Sequence, residues 1–170
     1  IRNCVYLGPF NQFIRECSKF PSFKNSVKVG TNAEKNGNLE ELVLKFFAYY
    51  ESRDQFVHSV KGFLNDYMAQ KTQAFKNKKE LKSLFESTFT LLEQMLPDGV
   101  VRSNRKNTTP LILFEAIAIG VADALKGGTV VNAQKLKDLL DNKTLTALTT
   151  GATNSRKKLL ERIKFVRGNV

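Results

Sequence analysis

Glu115 is the residue whose type and position most suggest chemistry, because it interrupts the apolar run from Thr109 to Leu125. A buried carboxyl group has a raised pKa unless a cation or backbone donors stabilise its ionised form. Arg102 and Arg105 lie a few residues upstream, so we expect one of them to pair with Glu115. Two interpretations stay open: Glu115 orients an arginine towards a ligand phosphate, or the pair is structural and ties the preceding loop to the core.

Other residues offer little for metal or nucleophile chemistry. The chain has one histidine, His58, and two cysteines, Cys4 and Cys17. A zinc site needs more nitrogen or sulfur ligands than these at a usual spacing. A Ser-His-Asp triad would rest wholly on His58. No glycine-rich loop of a nucleotide-binding type occurs either. We therefore expect no catalytic residue, metal or cofactor in this chain, and a structural or simply exposed role for His58.

Basic residues are the second feature that could bind a ligand. Lys and Arg number 27 against 16 acids, a net charge of +11, which favours nucleic acid or another acidic partner. One cluster precedes the long helix and comprises Lys71, Lys76, Lys78, Lys79 and Lys82. The other lies on the last helix, where the predicted nucleic-acid contacts are Arg156, Lys157, Arg162 and Lys164. Solvated faces are the commoner explanation of such clusters, since phosphate contact requires only accessible cations.

The elements that position these residues are predicted to be helices. Apolar residues recur at three-to-four spacing and no segment alternates with a period of two, so the sequence predicts an all-α fold. The run from Thr109 to Leu125 is apolar on nearly every face, which is typical of a buried central helix. It is shorter than the ~20 apolar residues of a membrane span and contains Glu115 and Asp123. We expect a multi-helix bundle around it, with Asp123 near the helix end facing solvent.

Seven further helical segments are predicted. The Lys and Arg side chains of the last one are all expected on its solvent-exposed face. The segments are Pro9 to Phe20, a turn through Phe23 and Val27, Asn38 as N-cap to Tyr50, Phe56 to Met68, Leu81 to Leu96, Ala133 to Leu140 with a short piece through Leu148, and Ser155 to Arg167. The third and fourth should form a hairpin with an aromatic seam, and Gly30 to Asn38 should be a mobile loop. The expected organisation is one domain, 1–170, with halves 1–96 and 109–170 joined by a basic loop, 97–108, as the alternative.

The setting of the chain is predicted from its opening and its cysteines. The opening IRNCVYLGPF has neither the charged region nor the long apolar region of a signal peptide, and two cysteines fit a reducing compartment. We therefore expect a cytoplasmic protein with no membrane partner. The chain also begins without Met, which suggests a piece of something longer.

Several stretches together resemble one family. IRNCVYLGPFNQFIRE, residues 1–16, is similar to "EIRNAVYRGPFN", found after the catalytic part of GmrS-type proteins, once called domain of unknown function 262, which have a ParB/sulfiredoxin-like core. ELVLKFFAYY (Glu41 to Tyr50) and FLNDYM (Phe63 to Met68) resemble their "ELVLRFFA…FLNDYM". Val101-Arg102 followed by LFEAI (Leu113 to Ile117) resembles their "FR…LFEA", with Val in place of Phe.

The resemblance implies the helical C-terminal region of such a protein. Members act as nucleotide-hydrolysing or nuclease components of bacterial modification-dependent restriction and phage defence. Their D-G-Q-Q-R motif and the histidine-asparagine nuclease motif are absent here, so we expect a noncatalytic domain that supports an N-terminal ParB-like domain, with Arg102 in ligand or DNA contact. A freestanding basic nucleic-acid-binding module that uses the last helix is the alternative, and an enzyme in its own right is a third hypothesis.

Overall fold

The computed structural model describes residues 6–30 and 36–170, and within them it confirms the all-α prediction. The part of the chain that the structure describes contains nine α-helices and no β-strand. They are α1 (Pro9–Ser18), α2 (Pro21–Ser26), α3 (Asn38–Ser52), α4 (Val60–Gln73), α5 (Lys78–Met95), α6 (Leu111–Lys126), α7 (Ala133–Leu140), α8 (Lys143–Thr149) and α9 (Arg156–Asn169). A short 3₁₀ turn, Arg53–Gln55, follows α3.

Local sequence signals set most helix starts. Proline occupies the first turn of α1 and α2, where its missing N–H is not needed. The side chains of Ser59, Asn132, Asn142 and Ser155 each accept a hydrogen bond from a backbone N–H in the first turn of the helix that follows. Each such cap satisfies an otherwise orphan donor. Asn38 is the first residue of α3 rather than its predicted N-cap, because Gly37 takes that place with a φ of 74°.

Helix α6 is the centre of the fold, as predicted. Every residue from Leu113 to Ala122 is buried, and α3, α5, α8 and α9 pack around the helix. Its tightest contact is at Gly120, where an added Cβ would lie 2.5 Å from Val166 Cγ1 and 3.2 Å from the Arg167 backbone N of α9. The absence of a side chain at Gly120 therefore sets how closely α9 approaches the central helix.

Aromatic side chains join the first five helices to α6. The ring centroids of Phe13 and Phe47 lie 5.1 Å apart, and Phe47 lies 5.4 Å from Phe85. Phe89 continues the contact to Phe114 of α6, with centroids 5.8 Å apart. Residues of both predicted halves thus share one hydrophobic cluster.

The predicted aromatic seam between α3 and α4 is present, although its helix boundary differs. Tyr49 stacks on Phe63 with ring centroids 5.5 Å apart, and Phe56 meets the same ring edge-on at 5.5 Å. Phe56 precedes α4, which begins at Val60 behind the Ser59 cap. The apolar periodicity placed Phe56 in the helix. A buried residue in the connection before α4 can fall at the same three-to-four spacing as a residue on the buried face of the helix.

The connection between α5 and α6 is held at both ends by the last residue of α2 and the residues that follow it. Val100 N donates to Ser26 O at 2.9 Å, and Thr109 N donates to Lys28 O at 2.9 Å. Lys28 N in turn donates to Thr109 Oγ1 at 2.8 Å. The basic loop is therefore anchored where it leaves α5 and where it enters α6.

Two predictions fall partly or wholly outside the described residues. Cys4 and the opening residues of the stretch that resembles the GmrS-type family are among them, as is much of the predicted loop from Gly30 to Asn38. Cys17 lies within the described residues as a buried free thiol, and burial raises its pKa to about 12. Among the helices described, none has the length and apolar character needed to cross a membrane.

Candidate functional site

Glu115 is buried as expected, but its partners differ from the predicted ones. Its carboxylate lies 3.0 Å from Lys45 Nζ of α3 and 3.7 Å from Arg162 Nη2 of α9. Only 3% of the Glu115 side chain is exposed. The prediction of a pair with Arg102 or Arg105 is therefore wrong. The Arg102 side chain contacts α7 and α8 and Arg105 is exposed, whereas Glu115 contacts Lys45 of α3 and Arg162 of α9.

Arg162 was expected outside and is instead buried, with 2% of the residue exposed. Its Nη1 donates to Thr153 O at 3.0 Å, and its Nε has no hydrogen-bond partner within the described structure. Burial lowers the pKa of the Arg162 guanidinium, while Glu115 opposes that shift. A side chain so enclosed does not reach a nucleic acid. The prediction that Arg162 contacts nucleic acid is therefore wrong.

Lys45, Glu115 and Arg162 together form what we call the buried ion cluster. It holds two cations and one carboxylate, and the ammonium of Lys45 keeps some solvent, since 17% of that side chain is exposed. Buried charges are tolerated only when paired and hydrogen-bonded. The cluster therefore links α3, α6 and α9 through ion pairs.

Arg102 serves a different part of the fold. Its Nη1 donates to Leu140 O at 2.8 Å and to Thr146 Oγ1 at 2.7 Å, and its Nη2 donates to Thr149 Oγ1 at 3.3 Å. These acceptors belong to α7 and α8, so one guanidinium joins the two short helices to the loop. All three acceptors are neutral, and the positive charge of Arg102 is not cancelled by them.

Asp123 also has a partner that the sequence did not suggest. Its Oδ2 lies 2.9 Å from Arg53 Nη2, and its side chain is 9% exposed. The expectation that solvent would be its main partner is wrong, because the turn after α3 brings Arg53 against the end of α6. This second ion pair again links α6 to the α3 region.

Several cations of the two basic clusters predicted from sequence lie near acids in the fold. In the first, Lys71 pairs with Glu51 at 2.8 Å and Lys78 with Glu16 at 3.2 Å. Lys82 pairs with Glu16 as well. In the second, Arg156 lies 3.8 Å from Asp54, and Lys157 lies 3.9 Å from Glu161. These five cations therefore have an acid within 4 Å, while the net charge of +11 is carried by cations elsewhere on the chain.

A different set of cations surrounds the loop before α6. We call Lys28, Arg105, Lys106 and Lys137 the loop face. All four residues are exposed, and no ion pair joins any of them to an acid within residues 6–30 and 36–170. Arg105 was predicted to contact a ligand, and it lies at the tip of a turn closed by its backbone N–H on Arg102 O at 3.0 Å. Lys28 and Lys137 were not predicted as contact residues, because they are distant from this loop along the chain.

Two cavities open beside the loop face. One has a volume of about 360 Å³ and is lined by Lys24, Lys28, Lys106 and Asn107 together with apolar residues. The other, about 320 Å³, is lined by Arg102, Ser103, Lys106 and Lys137, and by Asp98 and Asp141. Lys106 lines both. No group of three or more potential metal ligands occurs among the described residues, and His58 is exposed just before α4.

Comparison with known proteins adds no relative. No protein-family model, no curated protein and no solved structure matches this chain. The resemblance to GmrS-type proteins therefore rests on the quoted stretches.

Proposed function

We propose that this chain is a noncatalytic helical region that supports a ParB-like NTPase or nuclease domain in a GmrS-type protein of bacterial restriction or phage defence. The observation that carries the proposal is that the stretches behind the resemblance pack against one another. Phe10 of the opening stretch meets Tyr67 of FLNDYM with ring centroids 5.7 Å apart. Lys45 of ELVLKFFAYY donates to Glu115 of LFEAI at 3.0 Å.

Polar residues within those stretches are used inside the chain. Glu115 pairs with Lys45 and Arg162, Arg102 donates to α7 and α8, and the Tyr67 hydroxyl donates to Glu51. Groups committed to such contacts hold helices together rather than activate a nucleophile or hold a metal. This pattern supports a scaffold role for the chain.

The test has two parts. The coding sequence upstream of Ile1 should contain a D-G-Q-Q-R motif, and its absence would contradict the GmrS-type assignment. The isolated chain should hydrolyse no nucleotide and cut no DNA, whereas the longer protein should do one or both. Turnover by the isolated chain, in a preparation shown free of contaminating enzymes, would contradict the noncatalytic role.

The alternative of a freestanding nucleic-acid-binding module built on the last helix receives less support. Arg162 of that helix is buried, and Arg156 and Lys157 lie near acids. Lys164 remains exposed. A single unpaired cation of the four predicted contacts is a poor basis for binding a polyanion.

A further inference from the structure

We propose that the loop face binds the phosphate backbone of a nucleic acid, with Lys28, Lys106 and Lys137 as phosphate contacts and Arg105 beside them. This goes beyond the proposed supporting role, which requires no nucleic-acid contact by this chain. The ligand is defined by its repeated phosphate groups and not by its bases.

Convergence is the first argument. Lys28 follows α2, Lys106 lies in the loop before α6, and Lys137 lies on α7, yet they line two adjoining cavities that share Lys106. No acidic residue appears among the described residues that line the first cavity. In the second, Asp141 accepts from Ser103 N at 3.2 Å, and Asp98 reduces the positive potential. We therefore expect the positive electrostatic potential to be strongest beside Lys28 and Lys106.

Available charge is the second argument. Several cations of the two sequence-predicted clusters form ion pairs with carboxylates, whereas no ion pair joins a loop-face cation to an acid within the described part of the chain. Binding a phosphate releases the condensed counterions of the nucleic acid without first breaking a protein ion pair. The loop-face cations can thus bind an anionic partner without losing an ion pair.

Rigidity is the third argument. The loop is tied to the end of α2 and the residues after it through Val100 and Thr109, and Arg102 fixes it to α7 and α8. A cation on an anchored backbone loses less backbone conformational entropy on binding than one on a mobile tail. The Arg102 guanidinium, which donates only to neutral acceptors, also adds its charge to the wall of the second cavity.

A nucleic-acid backbone fits this arrangement better than a single nucleotide. Lys28 and Lys137 line different cavities, with Lys106 common to both, and this spread suits successive phosphates along a strand. No aromatic side chain lines either cavity among the residues described, so a stacking surface for a base is missing there. Binding should therefore be independent of base sequence and steeply dependent on salt.

The experiment compares two triple variants that remove the same number of lysines. One is Lys28→Ala/Lys106→Ala/Lys137→Ala, and the matched control is Lys157→Ala/Lys158→Ala/Lys164→Ala on α9. Fluorescence anisotropy with a labelled short duplex DNA is measured over a salt series, and circular dichroism checks that both variants fold. The loop-face variant should weaken binding at low salt by about tenfold or more and flatten the slope of log K against log salt by about 0.9 for each lost contact. The control should change both by much less.

Several results would overturn the proposal. They are no binding of the unmodified chain to duplex DNA at low salt, equal losses in the two triple variants, or a larger loss in the control. Inorganic pyrophosphate or ATP that competes as well as the duplex at equal phosphate concentration would also overturn it, since that would indicate a small-ligand site. None of these results bears on the upstream motif or on hydrolysis, so the supporting role stands or fails separately.

Discussion

The buried ion cluster and the loop face contain the same kinds of side chain in opposite surroundings. In the cluster, Arg162 and Lys45 share the carboxylate of Glu115 where water is nearly excluded. On the loop face, Lys106 and Lys137 are open to water and form no ion pair within the described structure, although Asp98 and Asp141 line the same cavity. A buried cation without its partner is strongly destabilising, while an exposed one is solvated at little cost.

The difference separates charges that hold the fold from charges that are free to act. Removing a partner from the buried ion cluster should lower the free energy of unfolding and leave DNA binding unchanged at conditions where the chain is folded. Removing a loop-face cation should do the reverse. The following variants test that division, beginning with the largest expected effect.

Glu115→Ala should produce the largest loss of stability. It leaves the buried guanidinium of Arg162 without a carboxylate and deprives Lys45 of its partner, which should lower the free energy of unfolding by on the order of 3 kcal/mol. Urea denaturation followed by circular dichroism measures it. Glu115→Gln keeps some hydrogen bonding and should cost less. A Glu115→Ala chain as stable as the original would show that the cluster does not fasten the helices.

Gly120→Ala should loosen the same region by a steric route. The new methyl group would lie 2.5 Å from Val166 Cγ1, so α9 must shift away from α6 and carry Arg162 away from Glu115. Overpacking of this kind should cost about 2 kcal/mol, more than the helix propensity that alanine gains. Gly168→Ala on α9 is the control, because an added Cβ there meets nothing within 4 Å. If Gly168→Ala destabilises as much, crowding is not the cause.

Arg102→Ala should destabilise by about 1.5 kcal/mol, because it removes charge-assisted hydrogen bonds to α7 and α8. Arg102 and Glu115 share no partner, so the costs of Arg102→Ala and Glu115→Ala should add within about 0.5 kcal/mol. Urea denaturation of the two single variants and the double variant measures the coupling. A coupling of more than about 1 kcal/mol would contradict the separation between the loop and the buried ion cluster.

Glu51→Gln should give the smallest effect, about 1 kcal/mol at neutral pH, and one that depends on pH. Burial raises the pKa of Glu51, but hydrogen bonds from Lys71, Tyr67 and Asn77 outweigh it and hold the pKa below its ordinary value of 4.5. Because the folded pKa is lowered, the stabilisation is complete above pH 4.5 and is lost as pH falls through the folded pKa.

The measurement is the urea midpoint of the Glu51→Gln variant and of the original chain across acid pH. The two curves should be separated at neutral pH and should converge as the pH falls through the folded pKa of Glu51. Lys106→Ala, on the loop face, should leave the acid dependence unchanged. A constant separation down to the lowest pH would show that Glu51 does not titrate as part of this network.

The sequence predicts the helices well because their signals are local. The apolar faces of α5 and α6 and the Asn132 cap are all readable within one or two turns. Partners of charged residues are not local, since Lys45 and Glu115 are 70 residues apart. A signal for Lys45 was present, because it interrupts an apolar run much as Glu115 does.

Arg162 also carried a signal that the charge of the last helix obscured. It follows Leu159 by three residues and precedes Val166 by four, which places it on the same buried stripe as those two residues. The composition of the helix favours an exposed basic face, and the periodicity favours burial of this one arginine. The loop face had no comparable signal, because it forms only when α2, α7 and the loop meet.

The anchoring of the loop also sets an order of events as the chain is made. Lys28 leaves the ribosome long before Thr109, the residue 81 positions later that receives its backbone hydrogen bond. Contacts between such distant residues form late, because the loop that closes them is long. Lys28 of the nascent chain therefore lacks its contact with Thr109 until the start of α6 has been synthesised. The loop face is assembled only after that helix emerges.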